Sequence, residues 1–594
     1  MSNMPDMKWG PPPPPCRHGD HIDTIETPAL VVEMDALEKN LVTMATMMKK
    51  FPGVAWRPHY KAHKCPEIAL MQTQSGACGV CCQTLVEAES LVHNQAANDI
   101  FITNQLVGKT KLQRLAVLCR QATVSICVDD PSHVVSLGLV AKEANVNIEC
   151  VVEVCVGSRC GVQPGKAAVE LAKEIIDTPH LSFKGIHVYG GQNQHIRSAE
   201  DRKQATDTVV EHAQRTLKEF DEADIRCPYV TGGGTGTFAY EACSGVFTEV
   251  QPGSFMFMDA DYNKNLNEAG KHQELFHQSL FVLTSVQSAR DGRAIVDVGL
   301  KGVSLDSGPP ELVGKTKLQR LAVLCRQATV SICVDDPSHV VSLGLVAKEA
   351  NVNIECVVEV CVGSRCGVQP GKAAVELAKE IIDTPHLSFK GIHVYGGQNQ
   401  HIRSAEDRKQ ATDTVVEHAQ RTLKEFDEAD IRCPYVTGGG TGTFAYEACS
   451  GVFTEVQPGS FMFMDADYNK NLNEAGKHQE LFHQSLFVLT SVQSARDGRA
   501  IVDVGLKGVS LDSGPPEIYV NPNLSYVIGG DEHGKLKANT ELGQTTINKM
   551  EVGERLWLVP GHCDPTVNLH DWLVGMRHFQ VEKMFAIAGR GPGV

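Results

Sequence analysis

Short apolar runs alternate with amphipathic stretches along the first half of the chain. "PALVVEMD" reads as an opening strand. Behind it, "ALEKNLVTMATMMKKF" places Leu37, Leu41, Met44 and Met48 at helical spacing. "GVAWRPHYK" follows as a strand, then a helix from Pro66. "ACGVCCQT", "DIFITNQ", "TVSICVDD", "NIECVVEVCVG", "FKGIHVYGG", "RCPYVTGGG" and "GSFMFMDAD" are further strand-like runs, with helical stretches between them. The clearest helix is "SAEDRKQATDTVVEHAQRTLKEF", where Ser198 is the N-cap and Val209, Ala213, Leu217 and Phe220 share a face. Strands alternating with helices imply parallel βαβ units. Counted from "GVAWRPHYK" to "GSFMFMDAD" they predict a (β/α)8 barrel, with an open doubly wound sheet as the alternative. After Asp261 the pattern changes. "QSLFVLTSVQSAR", "GRAIVDVG", "LSYVIGG", "KLKANTEL" and "ERLWLVPGH" look like strands without long helices between them, which predicts a C-terminal, mostly-β domain.

The pattern then repeats. Leu106–Glu311 recurs without a single difference as Leu312–Glu517, at an offset of 206. That period is far beyond the roughly 20–50 residues of solenoids and propellers. Copies with separate jobs drift apart, so identity points to a recent tandem duplication or a gene-assembly artefact. Without one copy, 388 residues remain, a length that suits a two-domain enzyme. The expected division has a disordered Pro-rich lead-in at 1–26 and the barrel at 27–275. The β-domain opens at 276–311, a surplus part-barrel duplicate fills 312–517, and 518–594 completes the β-domain. The segment before the repeat supplies three barrel strands and each copy offers five. Copy one follows Gln105 directly, so its loop closure is short and it is expected to complete the barrel.

Composition adds exclusions. An apolar fraction of 42% with 21% charged residues is that of an ordinary globular protein. A net charge of −16 argues against a nucleic-acid partner, which needs a basic face. No apolar run approaches the roughly 20 residues of a membrane span, and neither a secretory nor a transit pattern opens the chain, so the expected location is the cytoplasm. Seven of the 20 cysteines lie in each copy, mostly isolated within apolar runs, as expected of buried reduced thiols. "CGVCC" at Cys78–Cys82 lacks a second pair at finger spacing and is a weak zinc signal.

The candidate chemistry starts at "RPHYKAHK". Lys61 closes the first barrel strand, at the end where barrel active sites sit, between His59 and His63. Nearby positive charge and desolvation there would favour the neutral amine, a nucleophile toward carbonyls. "TGGGTGT" (Gly233, Gly234, Thr235) follows the seventh strand, and "QPGS" (Gly253, Ser254) precedes the expected eighth. Barrels often build a phosphate site there, from backbone amides and hydroxyls. Lysine on strand one with phosphate donors on strands seven and eight makes a coherent pyridoxal phosphate site. In "GHCDPT", read as a strand, His562 and Asp564 share a face and Cys563 takes the other. That donor pair suits Mn2+ or Mg2+ better than Zn2+.

Taken together, "RPHYKAHK", "GVCCQTLVEAE", "RCGV", "TGGGTGTF", "PGSFMFMDADY", "DEHG" and "PGHCDPTVNLHDW" resemble the D-threonine aldolase and D-3-hydroxyaspartate aldolase family. These are alanine-racemase-like pyridoxal phosphate enzymes related to D-serine dehydratase, and the resemblance runs from about Thr27 to the C-terminus. It implies Lys61 as the Schiff-base lysine. It implies Gln83, Arg159, Tyr189, Gly233, Gly234, Thr235, Gly253, Ser254 and Tyr262 around the cofactor. Arg365, Tyr395, Gly439, Gly440, Thr441, Gly459, Ser460 and Tyr468 are their second-copy counterparts. Tyr189 and Gln194, with Gln400 in copy two, are expected on the substrate side, His562 and Asp564 on a divalent metal, and His59 or His63 as the base. The implied substrate is a small D-configured β-hydroxy-amino acid, cleaved by a homodimer to glycine and an aldehyde. A dehydratase shares the lysine and metal. A non-catalytic cofactor-binding barrel or a misfolded duplicate product are further readings. Lys61 and the His562/Asp564 pair each occur once, so one active site per chain is expected.

Overall fold

In the computed structural model, residues 14, 16–22, 25, 27–157, 160–290, 293–298, 301, 321, 325, 326, 328–363, 366–478 and 481–591 are described. Eight parallel strands form one curled sheet: β2 (Ala55–Trp56), β3 (Val80–Cys82), β4 (Asp99–Ile102), β5 (Thr123–Val128), β6 (Ile148–Glu153), β7 (Leu181–His187), β8 (Val230–Gly232) and β9 (Glu249–Val250). The sheet runs β2-β9-β8-β7-β6-β5-β4-β3. A parallel bridge between His59 and Cys81, with the Cys81 N–H donating to Pro58 O at 2.9 Å, joins its two ends. This is the (β/α)8 barrel, and copy one completes it. Helices cover the outside and start where capping side chains permit: Thr84, Asp130 and Ser198 each accept a backbone N–H at a helix N-terminus. The helix predicted after Ser198 spans Ala199–Glu222 and buries Val209, Ala213 and Phe220.

The eighth strand differs from expectation. It is the two-residue Glu249–Val250, too short to register as an apolar run, and "GSFMFMDAD" instead opens as a 3-10 turn, Ser254–Met256, burying Phe255 and Met256. "QPGS" therefore follows strand eight, at the barrel mouth. The opening strand β1 (Ala29–Val32) is not a barrel member. It pairs antiparallel with β10 (Leu280–Leu283).

Copy two forms an open half-barrel of five parallel strands: β13 (Ser331–Val334), β14 (Ile354–Glu359), β15 (Leu387–His393), β16 (Val436–Gly438) and β17 (Glu455–Val456), in chain order. Its sheet–helix layer repeats that of the barrel around Val358, Ile392 and Phe426. Its edges do not. In the barrel, Thr123 and Val124 pair with Asp99 and Ile100 of β4. Copy two has no β4 before it, and β13 starts two residues later in register, at Ser331. At the other edge, Arg57 Nε donates to Glu249 Oε2 at 2.9 Å in the barrel, whereas Glu455 of β17 is exposed.

The β-domain is a six-stranded antiparallel sheet ordered β20-β23-β18-β19-β22-β21. Its leading strands, β18 (Val488–Arg496) and β19 (Arg499–Val502), belong to copy two, and β20 (Glu517–Ile518), β21 (Leu524–Ile528), β22 (Gly534–Ala538) and β23 (Arg555–Val559) follow. This corrects the expected opening at 276–311. Copy one's equivalents, β11 (Val286–Arg290) and β12 (Arg293–Val296), pair with each other as a separate hairpin. Direct continuity into Ile518 lets copy two's strands reach the sheet first. "KLKANTEL" is also divided, since Thr540 caps a helix at Glu541–Lys549 after β22 ends. The β-domain bridges the two copies. Ser494 donates to Asp129 of the barrel at 2.8 Å and Gln493 Nε2 to Gln105 O at 3.0 Å. On the other side the Ala466 N–H of copy two donates to Pro560 O at 2.9 Å. Among the described residues no helix is long and apolar enough to cross a membrane.

Candidate active site

Lys61 lies in a 3-10 turn, Tyr60–Ala62, immediately beyond the extended residues that continue β2. His59 accepts the Lys61 N–H on Nδ1 at 3.3 Å, and its Nε2 meets Thr103 Oγ1 at 3.1 Å, with Gln83 Nε2 donating to the same hydroxyl. The His59 N–H donates to Pro252 O at 3.2 Å, and a Cβ on Gly253 would lie 2.9 Å from His59 Cβ. Only glycine lets the loop after β9 press so closely on the lysine turn. That loop is tied to its neighbour: the Phe255 N–H donates to Thr235 Oγ1 at 3.1 Å, and Gln251 N–H to Gly233 O at 2.8 Å. Gly233 needs its φ of +71°. A Cβ on Gly234 would lie 2.6 Å from Gln194 Oε1 and 3.1 Å from Tyr189 Oη. Tyr189 stacks on His187 at 6.0 Å, and Tyr262, whose phenol is pushed up by burial and by Tyr189, bonds Ser254. Lys61, Gln83, Tyr189, Gly233, Gly234, Thr235, Gly253, Ser254 and Tyr262 thus lie in one linked set of turns at the barrel mouth. Arg159 and Arg365 lie outside the described residues.

Three expectations change. His63 does not crowd Lys61 with positive charge. Burial lowers His63 to about 4, leaving it neutral between Tyr60 and Phe257, with the Cys65 N–H donating to its Nδ1 at 3.2 Å. The group facing Lys61 Nζ is instead Asp531 of "DEHG", at 3.4 Å, and a carboxylate favours the ammonium form. Burial works against the charged Asp531, but Lys61 and Lys507 outweigh it and hold its carboxyl below the usual range. Both histidines are built into the turn, which gives them a holding role the sequence did not suggest. Gln194 is 2% exposed and spends its amide behind the glycine loop, donating to Thr237 Oγ1 at 2.8 Å and accepting the Gly236 N–H at 2.8 Å. Gln400 does the same with Thr443 and Gly442.

The third change concerns "GHCDPT". It is not a strand. His562 is the N-cap residue of a short helix, Cys563–Val567, so alternation does not set its direction. His562 Nδ1 meets Asp512 Oδ2 at 2.6 Å, which leaves Nε2 as the outward nitrogen, the arrangement that orients a metal-ligating imidazole. Burial opposes the charged imidazole, but Asp512, Asp564 and Asp465 together raise His562 above its ordinary value. Cys563 is pushed up to about 12 by burial and by Asp465. The donor chemistry of His562 and Asp564 fits a hard divalent cation.

These two half-sites rest on different copies. The His562 turn docks on copy two, where the Cys563 N–H donates to Asp465 Oδ2 at 3.0 Å, Cys563 bonds Ser460, and Asp564 lies near Tyr468. Copy two repeats the cradle: a Cβ on Gly440 would meet Gln400 Oε1 at 2.6 Å and Tyr395 Oη at 2.8 Å. Yet Gly459 has open space where Gly253 meets His59, and the buried Thr441 Oγ1 has no hydrogen-bond partner. Gly439 and Ser460 complete that cradle, which has no lysine of its own because Lys61 precedes the repeat.

The lysine turn and the glycine-rich, hydroxyl-bearing loops of strands seven and eight thus meet at one barrel mouth. Residues 32–261 and again 307–467 match "Alanine racemase, N-terminal domain", and residues 485–576 match "Putative serine dehydratase domain". The chain belongs to the alanine-racemase-like family, whose fold implies pyridoxal phosphate. It is 38% identical over 312 residues to a 3-hydroxy-D-aspartate aldolase of Paracoccus denitrificans, covering 52% of this chain and 78% of that one. It is 39% identical over 313 residues to a D-threonine aldolase of an Arthrobacter species, covering 52% and 81%. A D-threo-3-hydroxyaspartate dehydratase of a Delftia species is 27% identical over 296 residues, covering 49% and 75%.

Proposed function

We propose that this enzyme is a pyridoxal 5'-phosphate- and divalent-metal-dependent aldolase. It cleaves D-configured β-hydroxy-α-amino acids of the D-threonine or D-3-hydroxyaspartate type to glycine and an aldehyde. The observation that carries this reading is the turn of Lys61, packed through His59 onto the Gly253 loop, so that an amine and a phosphate cradle share one mouth. Lys61 is the covalent anchor, and Asp531 holds its ammonium in place until the cofactor arrives. Amides of the Gly233–Thr235 and Gly253–Ser254 loops, with the Ser254 hydroxyl, hold the phosphate. Tyr189 and Tyr262 wall the mouth against water and confine the substrate to one face. Bound there, the cofactor supplies the electron sink for Cα–Cβ cleavage, and a metal at His562 and Asp564 supplies a Lewis acid for the β-hydroxyl. His562 is pre-aimed for that task by Asp512. One lysine-bound cofactor per chain follows, because Lys61 is unique while the cradle is doubled.

The match of 485–576 to a serine dehydratase domain supports a second reading, loss of water and ammonia to a 2-oxo acid, through the same lysine. Product analysis separates the two. Purified protein given D-threonine should release glycine and acetaldehyde. Lys61→Ala should abolish both turnover and the long-wavelength absorption of bound cofactor. Ammonia and an oxo acid as the main products would sink the aldolase reading, and a cofactor still reducible onto the Lys61→Ala protein would reject Lys61 as the anchor.

A further inference from the structure

Cys127, Glu153 and His187 sit on adjacent barrel strands with a sulfur, an oxygen and a nitrogen within 4.8 Å of one another, and Cys333, Glu359 and His393 repeat the cluster in copy two. Strand register explains the convergence. Glu359 and His393 are direct partners between β14 and β15, and Cys333 lies opposite Val357, two residues before Glu359. All three side chains therefore point to one face, the inside of the curl.

The two clusters have different surroundings. In the barrel all three groups are buried. Phe101 of β4 lies edge-on to His187 at 5.6 Å, and Gln105 donates to Glu153 Oε2 at 2.6 Å. His187 Nδ1 stays 3.8 Å from Glu153. Phe101 and Gln105 both precede the repeat, so copy two has no counterpart of either. There His393 Nδ1 closes to 2.6 Å from Glu359 Oε2, and Cys333 is exposed in the open half-barrel.

We infer that the half-barrel of copy two binds a thiophilic divalent cation of the zinc type between Cys333, Glu359 and His393. Sulfur, imidazole and carboxylate on a tetrahedral centre are the ligands zinc takes, with water in the fourth position. Binding releases the Cys333 thiol proton and the proton shared by His393 and Glu359 to solvent, and the thiolate and carboxylate neutralise the dication. Exposure of Cys333 sets copy two apart from the fully buried barrel cluster. The site is independent of the aldolase reading, since its ligands do not include Lys61, His562 or Asp564.

The test uses the full-length, cofactor-loaded protein stripped of metal and titrated with Co2+, then with Zn2+ by equilibrium dialysis. Ligand-field bands of a thiolate-bound tetrahedral Co2+ are expected, with displacement by Zn2+. Cys333→Ser and, separately, His393→Gln should weaken binding by at least the roughly 10- to 100-fold that even lost supporting contacts cost a metal site. Cys127→Ser should leave the bands unchanged. Absence of a thiolate-bound Co2+ spectrum, or bands that survive Cys333→Ser, would overturn the inference. Bands lost in Cys127→Ser but kept in Cys333→Ser would overturn it as well, by moving the ion to the barrel.

Discussion

His63 shows how a single side chain ties pH to stability. Its folded-state value is about 4 because burial penalises the imidazolium, against about 6.5 when unfolded. Between those values the unfolded chain takes up a proton that the folded chain refuses. The stability that His63 protects is therefore present above pH 6.5 and lost as pH falls toward 4, by about 3 kcal/mol. His63→Gln, which keeps an acceptor for the Cys65 N–H, should flatten this acid limb in urea denaturation at pH 7 and pH 5. Equal losses in both proteins would refute the assignment. At this scale the sequence was uneven. Lys61 and the glycines were legible because their chemistry depends on position after a strand. The partner of Lys61 was not, because Asp531 lies 470 residues away and only folding brings it to 3.4 Å. The His562 pair was legible as a donor set but not in direction, since a helix cap replaced the strand that would have aligned it.

Elements of identical sequence behave differently according to their neighbours. Ile126 of β5 is 1% exposed between β4 and β6, while Ile332 of β13 is half-buried at an edge with no β4 beside it. Removing a buried isoleucine to alanine costs roughly 2–5 kcal/mol. Ile126→Ala should shift the barrel's unfolding, followed by release of bound cofactor in urea, by about that amount. Ile332→Ala should leave the same transition within about 0.5 kcal/mol. A comparable shift from both would mean that the half-barrel and barrel unfold as one unit. Long amphipathic helices and six-residue strands were readable from periodicity. A two-residue strand such as Glu249–Val250 carries no period to read, so its role passed to the apolar "GSFMFMDAD" beside it.

For the whole molecule, the decisive feature is that the β-domain reaches both copies. Its Asp531 side meets Lys61 in the barrel, while its His562 side docks on copy two. Deleting 312–517 should let Leu280–Val296 lead the β-domain and bring the His562 turn onto copy one's Asp259–Tyr262 segment. We expect one lysine-bound cofactor per chain in both forms, with better solubility and at least about tenfold higher activity per bound cofactor in the 388-residue form. Chelation should abolish that gain. Two lysine-bound cofactors per full-length chain would refute the single-site reading, and equal specific activities would refute the division of the site. The repeat itself was plain in the sequence. How the copies are shared was not, because connectivity favours copy one for the barrel and copy two for the β-domain at once.

The missing β2, β3 and β4 at the rim of the half-barrel mean that the two copies compete for a single set of strands. Their contact faces are letter-for-letter identical, so contact energy cannot choose between them. Lengthening the connection between Ile102 and Thr123 by the extra 206 residues costs about 2 kcal/mol of chain entropy, which places the rival pairing at roughly one molecule in several tens. Order of synthesis pushes the same way. Residues 27–311 have emerged and can fold before copy two exists, so the winner is settled during translation, while a chain refolded from denaturant must make that choice afresh.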